Sequence, residues 1–166
     1  VAEAGPMHVR DSGPAAYWGD LHGQSGETVG INPVESYFDY ARNKAFLDVT
    51  SHQGNDFQIN RRFWKRLNEV TAQYDEPGRF VAFPGYEWSG NTAVGGDHNV
   101  FFRHEGEDIH RCSHALLADR SDSHLAAMDL KALYHKLRDK DCVMYAHVGG
   151  RYADLSYGHD PKIETA

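Results

Sequence analysis

Cysteine is scarce in this chain: 166 residues contain two, Cys112 and Cys142, far apart and without CxxC spacing. That argues against both a disulfide framework and a cysteine-built zinc site, and leaves the redox compartment open. Long apolar runs are missing too. No stretch approaches the roughly 18 to 20 apolar residues of a membrane span, and no basic segment followed by an apolar one precedes the domain. The expectation is a soluble protein of the cytoplasm, with export left open because the chain starts at Val1, without an initiator methionine. Clusters of one charge are also absent. The 17 basic and 24 acidic residues give a net charge of -7 with neither sign forming a run, which disfavours a nucleic-acid footprint or a membrane-surface patch. A small molecule is the expected partner.

With 40% hydrophobic residues, the chain supports one ordinary core and is too short for two independent domains. It shows neither internal repeats nor low complexity. Histidine, by contrast, is abundant: eleven are present, and imidazole both ligates metals and transfers protons near neutral pH.

Residues 1–14 carry glycine, proline and charge without apolar periodicity and read as an exposed lead-in. In Asn32-Pro33-Val34-Glu35, an N-cap residue, a proline at the first helical position and a glutamate three after the cap predict a helix start. Val34, Tyr37, Phe38, Ala41 and Ala45 continue at helical spacing, and Phe46 to Thr50 reads as a strand entering Ser51-His52. The pattern recurs. Phe63, Trp64, Leu67 and Val70 mark a second helix, and Arg79 to Phe83 a strand that runs into Pro84-Gly85-Tyr86-Glu87. Asn99 to Phe102 forms another strand after His98. A polar, turn-rich stretch from Glu105 to Ser123 then precedes a helix through Leu130, Leu133, Tyr134 and Leu137 and a strand, Cys142 to Ala146, that delivers His147. Strands alternating with helices predict right-handed βαβ units and a largely parallel sheet.

In such folds the C-terminal strand ends form the active-site face. Strands here end at His22, His52, Glu87 and His147, and neutral imidazoles with a carboxylate suit a zinc, manganese or iron ion. His22, His52, Glu87, His98 and His147 are therefore the candidate ligands. Each alone also fits a capping, packed or surface role, and Glu87, between Tyr86 and Trp88, fits an arginine salt bridge; the shared strand-end placement is what favours a metal. His98 differs in beginning a strand. After His147, Gly149-Gly150-Arg151 would let an anionic group approach, with Arg151 able to grip it, although a glycine turn with a solvated arginine fits as well. His104, His110, His114 and His124 read as solvated loop residues.

The opening Tyr17-Trp18-Gly19-Asp20-Leu21-His22-Gly23-Gln24-Ser25 resembles the polymerase and histidinol phosphatase (PHP) superfamily, in particular its uncharacterised branch, and the likeness extends over residues 17–166. The resemblance implies a distorted (β/α)7, TIM-like barrel with two or three metals at its C-terminal face and hydrolysis of phosphate esters by a metal-activated water. It assigns His22 to the first histidine of a His-x-His motif whose second position is Gln24, here either a weaker metal ligand than imidazole or a contact to substrate or a bound water. It assigns His52 to a Thr-Asp-His motif in which Ser51 replaces the aspartate, Glu87 to a bridging glutamate, and His98 and His147 to later ligands. The final Asp-x-His motif has no counterpart before Ala166. Residues 15–166 are thus expected to form a domain of about five strands lacking its C-terminal part, with a second copy covering the open barrel edge. The expected cofactors are divalent ions, more than one, and the expected substrate is a small anionic phosphate ester. The alternative is an inactive remnant that binds metal or a partner.

Overall fold

A computed structural model describes residues 12–13, 15–90 and 94–147; Arg151 and most of the expected lead-in lie outside them. The described chain is mixed α/β, but its strands form two sheets rather than one. In the first, β1 (Gly19–Gly23), β2 (Val49–His52) and β3 (Val81–Ala82) pair in parallel in that order. In the second, β4 (Gly85–Trp88), β5 (His98–Phe102) and β6 (Cys142–Ala146) pair antiparallel in that order. The expected largely parallel sheet therefore holds only for the first half, and no barrel is formed among the described residues. No described helix is long and apolar enough to cross a membrane.

Among the described residues, three α-helices cover the sheets. In α1 (Val34–Asn43) the buried positions are Val34, Phe38 and Ala41, spaced four and three apart so that they share one face. Its start lies one residue later than the sequence pattern predicts. Pro33 takes the cap position with ψ of 155° and makes no side-chain cap bond, and Val34 N is served instead by Glu27 Oε1 at 3.4 Å. Glu35 bonds to Arg66 of the second helix rather than reaching back to a cap. That helix, α2 (Arg61–Tyr74), is capped by Asn60, which accepts from Phe63 N, and buries Phe63, Trp64, Leu67 and Val70. The shortest, α3 (Leu130–Leu137), is capped by Asp129 and buries Leu130, Leu133 and Leu137.

Two strands begin or break where the sequence looked continuous. Phe46 has φ of 53° and is 78% exposed, so it belongs to the turn after α1 and β2 starts only at Val49. The expected strand from Arg79 to Glu87 divides at Phe83-Pro84 into β3 of the first sheet and β4 of the second. Proline has no N–H for a ladder, and Pro84 contributes only its carbonyl, which accepts from Phe102 N at 2.8 Å.

The sheets meet beside the loop that follows β2. Glu87 N donates to Gly54 O at 2.9 Å and Asp56 N donates to Glu87 O at 2.9 Å, a parallel bridge that pairs Asn55 with Glu87. Because β5 is antiparallel to β4 and β6, its first residue lies at the same end as the last residues of the other two. His98 and His147 are therefore level with Glu87.

A candidate metal centre

Three of the expected ligands converge. Glu87, 4% exposed, directs Oε2 to within 3.4 Å of His22 Nε2 and 3.9 Å of His147 Nδ1. One donor atom from each residue lies within 4.8 Å of the other two. Donors each ~2.1 Å from a tetrahedral ion are about 3.4 Å apart, so the set needs only a small contraction to close on one. The two imidazoles stack with centroids 4.0 Å apart.

The surroundings fix these groups. Asn99 Oδ1 lies 3.0 Å from His22 Nδ1; as an acceptor it places the proton on Nδ1 and leaves the Nε2 lone pair directed at the centre. Asn55 Nδ2 donates to Glu87 Oε1 at 2.9 Å, and Ser89 Oγ donates to the same oxygen at 3.4 Å. His147 Nδ1 is buried and has no hydrogen-bond partner among the described residues. Burial and, secondarily, the neighbouring His22 hold His147 below the usual imidazole range, favouring the neutral ring that metal ligation requires. A buried carboxylate and a buried imidazole nitrogen aimed at one point fit a divalent cation, which would offset the cost of burying both.

His52 and His98 share the end but not the face. Side chains alternate along a strand. In β2, Thr50 and His52 face α1, where the Tyr37 hydroxyl lies 2.6 Å from Thr50 Oγ1 and its ring meets His52 edge-on. His52 Nε2 lies 2.8 Å from Ser25 Oγ, and Gly54 N approaches Nδ1 at 3.3 Å. Ser51 faces the other way and donates to Phe83 O at 2.8 Å. In the second sheet Glu87 is paired with Asn99, whereas His98 is paired with Trp88. His98 therefore lies on the opposite face from Glu87, its ring near Trp88 and Tyr134 and its Nδ1 3.0 Å from Gly96 O. Neither joins the cluster. Gln24 is close by, with Nε2 donating to Asn55 Oδ1 at 3.2 Å, while its buried Oε1 has no hydrogen-bond partner among the described residues.

The polar stretch before α3 is also more ordered than its composition implied. His104 and His124 are exposed as expected, but His110 is 4% exposed with Nδ1 2.9 Å from Leu125 O. His114 Nε2 lies 2.8 Å from Asp122 Oδ1. Asn55, Asn99 and Ser89, which orient the centre, carried no sequence signal beyond Asn99 following His98, because a carboxamide or hydroxyl suits any turn or strand.

A structural comparison finds the crystal structure of a two-domain protein from Bacteroides vulgatus containing a predicted PHP-like metal-dependent phosphoesterase. The TM-score is 0.55 at 15% identity, over 90% of this chain and 40% of that one, and the likeness is one of fold. A curated relative, an uncharacterised protein of Chlamydia pneumoniae, is 27% identical over 97 residues, which is 57% of this chain but 16% of the relative's length. The chain thus spans only a minor part of either protein. Residues 15–149 match the family model described as protein of unknown function DUF3604, and the chain belongs to that family.

Proposed function

We propose that the chain is a metal-dependent hydrolase of phosphate esters, of PHP type, in which His22, Glu87 and His147 hold a zinc, manganese or iron ion. The observation that carries this is the convergence of two imidazoles on one carboxylate oxygen from strands of both sheets. When bound, the ion supplies Lewis acidity and an acidified water. The chain's residues prepare the place: Asn99 favours the Nδ1-protonated tautomer of His22, burial favours the neutral form of His147, and Asn55 and Ser89 hold Glu87 Oε1. The His22 and His147 side chains remain 35% and 27% exposed, so a substrate can reach them. The resemblance of the Tyr17 to Ser25 opening to PHP sequences and the predicted PHP-like phosphoesterase in the Bacteroides protein support phosphate esters as substrates, and a PHP-type barrel as the arrangement to which the two sheets would contribute.

A second reading is a metal-binding remnant without turnover, favoured by the engagement of Gln24 and His52 with protein partners. Elemental analysis combined with hydrolysis of aryl phosphate mono- and diesters separates the two. The enzyme reading expects stoichiometric metal and metal-dependent turnover, with His22→Ala and Glu87→Gln each lowering both at least tenfold. Metal without turnover selects the remnant. A chain that retains no metal, and whose melting temperature ignores added metal, removes both.

A further inference from the structure

We infer that Asn55 makes Glu87 a one-ended ligand and so restricts the His22–Glu87–His147 centre to a single ion; this rests on the metal-centre reading above. The carboxamide of Asn55 is used on both sides. Its Nδ2 donates to Glu87 Oε1 at 2.9 Å and to Ser89 Oγ at 3.0 Å, and its Oδ1 accepts from Gln24 Nε2 at 3.2 Å. Turning the amide over would set Oδ1 against the Glu87 carboxylate and Nδ2 against the Gln24 amide nitrogen, so one orientation is strongly preferred. The backbone fixes it further, since the bonds from Glu87 N to Gly54 O and from Asp56 N to Glu87 O bracket Asn55. A carboxylate that spans two ions in the usual way offers one oxygen to each. In Glu87, Oε2 faces both imidazoles while Oε1 accepts from an amide and a hydroxyl.

A second ion sharing Oε2 would need further ligands, and the nearest choices point elsewhere. Gln24 gives its amide nitrogen to Asn55 and keeps only a neutral, buried Oε1 without a hydrogen-bond partner among the described residues, His52 faces Ser25 behind β2, and His98 lies on the other face of the second sheet. Among the described residues, His52 and His98 are thus turned away from a second ion, and Gln24 could offer only its neutral Oε1, a weaker ligand than an imidazole or a carboxylate.

The test uses the full chain, stripped with a chelator and titrated calorimetrically with Zn²⁺ and, in parallel, with Co²⁺ followed by its visible absorption. The expected ratio is one ion per chain. Asn55→Ala is expected to weaken Zn²⁺ binding about 10- to 100-fold, the usual effect of losing a group that orients a ligand, and to change the Co²⁺ spectrum while apo-protein circular dichroism stays the same. Two ions per wild-type chain would overturn this inference alone and leave the hydrolase reading standing. Unchanged affinity and spectrum in a folded Asn55→Ala chain would overturn it as well. If that variant does not fold, the wild-type ratio decides. Absence of any bound ion overturns both this inference and the hydrolase reading.

Discussion

His52 and His147 are both held towards the neutral imidazole by burial, yet only His147 faces Glu87. His52 is pushed down to about 4 from an ordinary 6.5. A depressed imidazole contributes stability that is fully present above 6.5 and lost as pH falls through about 4; the difference corresponds to roughly 3 kcal/mol. Buried Asp56 titrates in an overlapping window with the opposite sign. Burial raises it to about 7 from 3.8, so its contribution is present below 3.8 and lost as pH rises through 7. A pH series on the wild type alone therefore mixes two opposing effects, and the useful comparison is between chains. In the metal-free protein, the stability deficit of His52→Asn relative to wild type should be largest near pH 7 and shrink by as much as about 3 kcal/mol towards pH 4. Denaturant titrations at several pH values measure it, and a deficit that does not vary with pH would show that His52 does not titrate in this way. The type and strand-end position of both histidines were legible in the sequence. Which one faces the centre was not, because a shift of one residue in register turns a side chain to the other face.

At the scale of elements, amphipathic spacing identified all three helices and the apolar runs identified β5 and β6. The division of the third apolar run was missed. Pro84 and Gly85 carry the signal for it: proline interrupts the ladder, and glycine allows β4 to lie close to both neighbours. A Cβ added to Gly85 would stand 2.6 Å from the carbonyl oxygen of Val100 and 2.6 Å from Ser51 Oγ, and Val100 is a backbone contact inside a paired strand that cannot rotate away. Gly85→Ala should therefore cost about 1–3 kcal/mol of unfolding free energy, the range for overpacking a filled interior. Because Glu87 is two residues along the same strand, metal affinity should fall with it. An alanine variant with wild-type melting and wild-type affinity would show that β4 is free to move away from β5.

The whole molecule depends on a segment whose sequence looked solvated. Arg111 and Asp122 pair at 3.1 Å with side chains 1% and 6% exposed, and His114 lies 2.8 Å from the same carboxylate. Arg111 Nη1 donates to Asp56 O at 3.3 Å, while Cys112 N donates to Asp56 Oδ2 at 2.5 Å. The segment before α3 is thus tied to the loop that carries Asn55, the same loop that joins the two sheets. Arginine, aspartate and histidine in a glycine- and serine-containing stretch are also what an exposed loop contains, so burial could not be read from residue type; it is set by partners more than 50 positions away. Removing one member of a buried pair leaves the other charged and unpartnered, which typically costs about 3–5 kcal/mol, whereas replacing both by apolar groups is often close to neutral. Arg111→Met alone should therefore destabilise the chain by several kcal/mol, and adding Asp122→Leu should restore much of the loss. Chemical denaturation of the two single variants and the double variant measures that coupling. Losses that simply add would mean that the pair does not act as a unit, and that the segment is held by its apolar contacts, Ile109 and Leu117 among them.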